Sequence, residues 1–292
     1  MKPLIEQVAE LMMRLGGKYL APYGSVKSRK DFTQKQLMAC LLLKHYLKTS
    51  YRGIVDILAG HSALREVLGL EHKLPHYTAL QKFSARSEVV AIATKMVGEI
   101  GAAALAQERG QGRPAEVAMD ATGLETSDAS AHYISRRGRA RHTYLKVAVT
   151  IVCGALLPLG VAMETGPCND KCHAGELLEQ SLSAAEEGGL PDKLYADAGY
   201  DADWVHGVCQ DVWGVQSVIK PVVHQQNGEI GGYYRPEMTP EFLKEQGYGR
   251  RWHVESFFSG LKRFAGSTLR SRSPLAQRTE AIFKLLAYSL HR

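Results

Sequence analysis

Cysteine is scarce in this chain: its 292 residues hold five, an odd number scattered along the length. Such usage fits reduced thiols and excludes the small folds stapled by disulfides. No apolar run is read as approaching membrane-spanning length, and Met1 leads no signal-like segment. A cytoplasmic protein with no membrane partner is therefore expected. Internal repeats and low-complexity tracts are absent. So are a G-x-x-x-x-G-K-[ST] loop for ATP phosphates, a G-x-S-x-G nucleophile elbow and an H-E-x-x-H zinc helix. Acids are missing in two places. From Arg250 to the end there are nine Lys/Arg and only Glu255 and Glu280 against them, and between His132 and Lys146 five cations meet no acid. With a net charge of +6, this distribution leans toward a polyanionic partner.

What the sequence does have is concentrated from Tyr248 to Lys262, Y-G-R-R-W-H-V-E-S-F-F-S-G-L-K. At roughly 100° per residue on a helix, Tyr248, Arg251, Glu255 and Lys262 share one face. Phe257, Phe258, Leu261 and Phe264 share the opposite face and would pack on a core. One carboxylate flanked by two permanent cations suits a site that holds a metal and phosphates. The competing reading is a solvated helix face with an i,i+4 Arg251–Glu255 ion pair.

The first hundred residues read as a succession of helices: Ile5–Leu15, then one opened by the Thr33/Gln36 capping box and running through Lys48. Short helices capped by Ser50 and beginning at Ser62 follow, the latter ended by Gly69. Another opens at Pro75, and a longer one runs from about Ser87 to Gln107. This is the build of a helix-turn-helix-like DNA reader, and equally of many helical domains that bind no DNA. The run E-R-G-Q-G-R-P at Glu108–Pro114 is a composition break. Beyond it, Glu116–Thr122, Tyr144–Cys153 and Leu156–Met163 read as antiparallel strands. Lys193–Ala196 and Val215–Val222, separated by a helix over Ala202–Asp211, read as a parallel crossover. The expected fold is α/β: a mixed five-stranded sheet with flanking helices over residues 115–292, preceded by an all-helical, DNA-binding region over residues 1–108.

Two further acids stand out by position. Asp120 lies in the apolar strand run V-A-M-D-A-T-G, where an ionised side chain is costly without a partner. Asp197 closes the next strand group, L-Y-A-D-A-G-Y-D, at the strand end where open sheets place ligands. If the first and fourth strands are neighbours and the Tyr248–Lys262 helix packs across them, Asp120, Asp197 and Glu255 converge. Three carboxylates with cations nearby describe a Mg²⁺ site for phosphoryl chemistry. Asp201 is a rival to Asp197, less favoured because it lies past the strand end. Glu125 and Asp128 read as loop acids. Cys168, Cys172 and His173 form half of a zinc pattern with no second half, so free thiols are the expectation. Arg136, Arg137, Arg139 and Arg141 are either a solvated hairpin or phosphate contacts.

The run M-D-A-T at Asp120, the run Y-A-D-A-G-Y-D at Asp197, and the pattern Y-x2-R-x3-E-x6-K met by Tyr248, Arg251, Glu255 and Lys262 together resemble the DDE transposases of prokaryotic insertion sequences. Weaker likeness in S-Y-R-G-I-V and L-P-H-Y-T-A-L-Q-K-F extends it over almost the whole chain. The resemblance implies an RNase H-like core, with Asp120, Asp197 and Glu255 as catalytic carboxylates and ligands of Mg²⁺ or Mn²⁺. It implies that Tyr248, Arg251 and Lys262 grip DNA near the cleaved phosphate. The partners would be double-stranded DNA, both element ends and target, bound by a homodimer assembled on that DNA at the nucleoid. The rivals are a nuclease on the same core that cuts without joining, and a DNA-binding remnant of a dead element.

Overall fold

A computed structural model describes residues 2–126, 144–186, 188–222 and 230–292. Contacts divide the chain into two compact units, one of residues 1–96 and 271–292, the other of residues 97–270. Arg136, Arg137, Arg139, Arg141 and Asp128 lie outside the described residues.

The first unit is helical. It contains α1 (Leu4–Tyr19), α2 (Gln34–Tyr46), α3 (Tyr51–Gly60), α4 (Ser62–Leu68), α5 (Tyr77–Ser84), the first part of α6 (Ser87–Gly110) and α11 (Pro274–His291). The Thr33/Gln36 capping box forms, with Gln36 Oε1 accepting from the Thr33 backbone N–H at 2.8 Å. Met38–Leu43 of α2 are buried on every side, as a helix surrounded by α1, α3, α5 and α11 must be. Gly69 ends α4 in the left-handed conformation. The cap of α4 is the His61 ring, which accepts from Leu64 N–H. Helix α1 runs through Gly16 and Gly17 rather than stopping there. The expectation that no segment reaches membrane-spanning length also needs correcting, because α6 does so by length and composition. Lys95 and Glu99 interrupt its apolar run, and many of its apolar side chains are buried within the fold.

The second unit is built on a six-stranded mixed sheet. The strands are β1 (Glu116–Thr126), β2 (Tyr144–Val152), β3 (Leu157–Thr165), β4 (Lys193–Ala196), β5 (Gln216–Ile219) and β6 (Thr268–Leu269). Their order is β3-β2-β1-β4-β5, and β6 pairs beside β1. The first three are antiparallel, while β1, β4 and β5 run parallel. Both halves match the expected topology, with one strand more than expected. Strand β1 also continues past Thr122 to Thr126, so Glu125 is a strand residue paired with Thr268 rather than a loop acid. Gly123 does not end the strand: the Tyr144 ring covers it, and an added Cβ would lie 3.1 Å from Cδ2.

Helix α7 (Lys171–Ala185) packs on β3 and β2. Helix α8 (Asp203–Gly207), prolonged by a wider turn over Val208–Val212, links β4 to β5. After α9 (Pro240–Glu245), a 3₁₀ turn over Tyr248–Arg251 leads into α10 (Trp252–Ala265), which lies against β1 and β2. Val254, Phe257, Phe258 and Leu261 of α10 are buried, on the side expected from the sequence. The architecture is consistent with an RNase H-like fold.

Candidate active site

Register places the first two acids. Met119 of β1 pairs with Ala196 of β4. Asp120 is the next residue of β1 and Asp197 follows the last residue of β4, so they lie side by side where β4 ends against β1. Asp120 Oδ1 accepts from Ala121 N–H at 2.7 Å, and Asp197 Oδ1 accepts from Gly199 N–H at 2.8 Å. Burial raises the Asp120 carboxyl to about 6, opposed by the Ala121 hydrogen bond and raised further by the negative charge of Asp197. Arg251 pulls it down, and Asp170 adds to the rise. A carboxylate in that position gains from any cation brought beside it.

Arg251 stands between Asp120 and Glu255. Its Nη1 is 3.6 Å from Asp120 Oδ2, and its Nη2 donates to Glu255 Oε1 at 2.8 Å. The i,i+4 ion pair anticipated from the sequence is therefore present, and the same guanidinium also serves Asp120. Tyr248, half-buried, feels the charges of Arg251, Asp197 and Asp120. Lys262 Nζ donates to Thr122 Oγ1 at 2.7 Å. Thr122 is two residues past Asp120 on β1, on the same face of the strand.

The turn carrying Tyr248 and Arg251 is fixed from below. Gly247, with φ of +75°, opens it in a conformation that favours glycine. Arg250 is hydrogen-bonded to the buried Glu116 at the start of β1. The Tyr195 hydroxyl of β4 is 3.0 Å from Glu116 Oε1 and 2.9 Å from the Gln246 carbonyl.

Sequence reasoning missed Asp170 and Tyr200. Asp170, at the start of α7, pairs with Lys146 of β2 at 2.6 Å. A Cβ built on Gly199 would lie 2.7 Å from Asp170 Oδ2 and 2.9 Å from Asp197 Oδ1. The two carboxylates thus press on the same side of Gly199, an approach that a residue with a Cβ would not allow. Tyr200 is fully buried, and its hydroxyl has no hydrogen-bond partner among the described residues. Burial first, then the charges of Asp170, Asp120 and Asp197, raise that hydroxyl well above the ordinary phenol range.

Asp201 is otherwise engaged. It is buried, accepts from Arg235 Nε at 2.8 Å and Nη2 at 2.6 Å, and accepts from Val222 N–H at 2.7 Å. Cys168 Sγ lies 3.1 Å from His173 Nε2, while Cys172 is exposed. Among the described residues no group of three or more His, Cys, Asp or Glu is gathered as a metal cage. Mg²⁺ does not ordinarily need one, since it is held by one or two carboxylates plus waters and substrate phosphates. Carboxylates gathered close together and a buried hydroxyl without a partner among the described residues fit a hard, hydrated cation.

A mixed sheet that sets one carboxylate within β1 and another at the end of β4, with α10 bearing a third, is consistent with the class of RNase H-like α/β proteins. The chain belongs, more particularly, to the transposase DDE domain family, which matches residues 111–290. A search of curated proteins found no match.

Proposed function

We propose that this transposase cuts DNA at the ends of an insertion sequence and joins the freed 3′-hydroxyls to target DNA. The observation that carries this reading is the placement of Asp120 within β1 beside Asp197 at the end of β4, with Arg251 and Lys262 reaching the same face of β1. Asp120, Asp197 and Glu255 would hold Mg²⁺ or Mn²⁺. Such ions would supply Lewis-acid stabilisation of charge on the phosphate and lower the pKa of a water or 3′-hydroxyl nucleophile. Arg251, now shared between Asp120 and Glu255, turns to a phosphate oxygen when Glu255 takes up its ligand role, and its planar fork suits that acceptor. Lys262 places its charge on a phosphate along the same face, and Tyr248 packs beside the cut strand.

The protein would work as a homodimer on double-stranded DNA at the nucleoid, with the helical unit and Arg136, Arg137, Arg139 and Arg141 adding phosphate contacts. The test is an element-end duplex incubated with the protein, Mg²⁺ and a target plasmid. Strand-transfer products are expected. Nicked duplex without joined product would make the protein a nuclease, and binding without cleavage would make it a remnant.

A further inference from the structure

The site contains a carboxylate and a hydroxyl that the three expected acids do not account for. Asp170 reaches it from the start of α7, and its charge is not free: Lys146 from β2 neutralises it at 2.6 Å. Asp170 Oδ2 and Asp197 Oδ1 come together over the same side of Gly199. The Tyr200 hydroxyl, fully buried and without a partner among the described residues, feels Asp170, Asp120 and Asp197 together. Buried hydroxyls are ordinarily satisfied, because desolvating one without a partner is costly. A buried hydroxyl left so, three residues past Asp197, is poised for an oxygen that arrives with a ligand.

We propose that Asp170 and Tyr200 are positioning residues that hold the waters around a cation at Asp120 and Asp197, and that Lys146 sets the site's affinity by neutralising Asp170. The proposal rests on the metal-dependent reading above. Asp170 and Tyr200 touch hydration water rather than the ion, and partners of this kind commonly change metal affinity by about 10–100-fold. Lys146 acts with the opposite sign. Removing it leaves Asp170 as an uncompensated negative charge beside Asp197, which favours a cation. Removing Asp170 leaves the Lys146 ammonium, which repels one.

The experiment is Mn²⁺ titration by calorimetry on the full chain without DNA, with thermal melts of the metal-free variants as the control for folding. Asp170→Asn is expected to weaken Mn²⁺ binding by about 10-fold or more. Lys146→Met is expected to tighten it. Tyr200→Phe loses no bond in the metal-free fold, so its melting temperature should hold or rise while Mn²⁺ binding weakens. A merely structural ion pair and a merely packed tyrosine move the melts and leave the affinities alone. If Asp170→Asn and Lys146→Met shift affinity in the same direction, or Tyr200→Phe binds Mn²⁺ like the parent, the proposal is overturned. Should either charge variant fail to fold, Tyr200→Phe decides. If Asp120→Asn abolishes binding while these three leave it unchanged, this inference fails and the proposed function stands. A parent chain that neither binds Mn²⁺ nor cuts DNA would overturn both.

Discussion

Burying a carboxylate in an apolar strand costs free energy unless charge or hydrogen bonds compensate, and Asp120 has only partial compensation: one backbone N–H and a guanidinium at 3.6 Å. Its place as the first acid is legible in the sequence because the residues around it are apolar. Asp197 is legible from the strand end it closes. Asp170 is not, since its partner Lys146 and its neighbours Asp197 and Gly199 are all distant in sequence and meet only through the fold. In sequence Lys262 is a cation with no intrahelical purpose, and its partner proves to be Thr122 on another element. Lys262→Ala should weaken binding of the element end and Lys262→Glu should weaken it more. Lys262→Arg should restore part, because charge is kept while geometry shifts. Gel shifts on one element-end duplex check the series; identical binding by all three would return Lys262 to a solvated face.

At the scale of elements, the stretch after β5 is clasped to α8. Arg235 holds buried Asp201, Tyr234 N–H donates to Asp203 Oδ1 at 3.0 Å, and the Tyr234 hydroxyl bonds Asp211. Breaking a buried ion pair from one side leaves an unpaired charge. Arg235→Ala should therefore destabilise the chain by about 3–5 kcal/mol in denaturant unfolding. Beside the clasp, His206 is fully buried, with Nδ1 2.8 Å from Ser217 Oγ and Nε2 4.0 Å from Asp201. That 4.0 Å approach is an ion pair only for a charged ring, and burial outweighs the acids and lowers the His206 pKa. The unfolded chain then binds the proton more readily. Stability from this group is complete above about 6.5 and is lost as pH falls below it. Thermal melts between about pH 7.5 and about 5 should fall more steeply for the parent than for His206→Gln. The sequence announces the helices and strands here by their periods, but not the clasp. Strands as short as β4 and β5 carry too little pattern to fix which loop lies over which helix.

At the scale of the molecule, a composition break at Glu108–Pro114 marks where α6 gives way to the sheet, whereas compactness is decided by packing. By that measure, residues 97–110 go with the sheet and 271–292 with the amino-terminal helices. Helix α11 is buried along most of its length from Gln277 to Ser289, so deleting residues 271–292 should leave the helical unit without a core partner and prone to proteolysis. DNA binding is expected to be strongly salt-dependent. Replacing Arg136, Arg137, Arg139 and Arg141 with Ala should flatten the slope of log affinity against log salt by about 0.9 for each phosphate no longer neutralised. An unchanged slope would make them a solvated stretch.

The central claim is that the carboxylates side by side on β1 and at the end of β4 carry the chemistry, and cleavage of an element-end duplex by Asp197→Asn tests it most directly. The variant should fold and bind the duplex like the parent, because it removes a ligand and no phosphate contact, yet show no cleavage in Mg²⁺ or Mn²⁺. Near-parental cleavage by a variant that melts at the parental temperature would contradict the account.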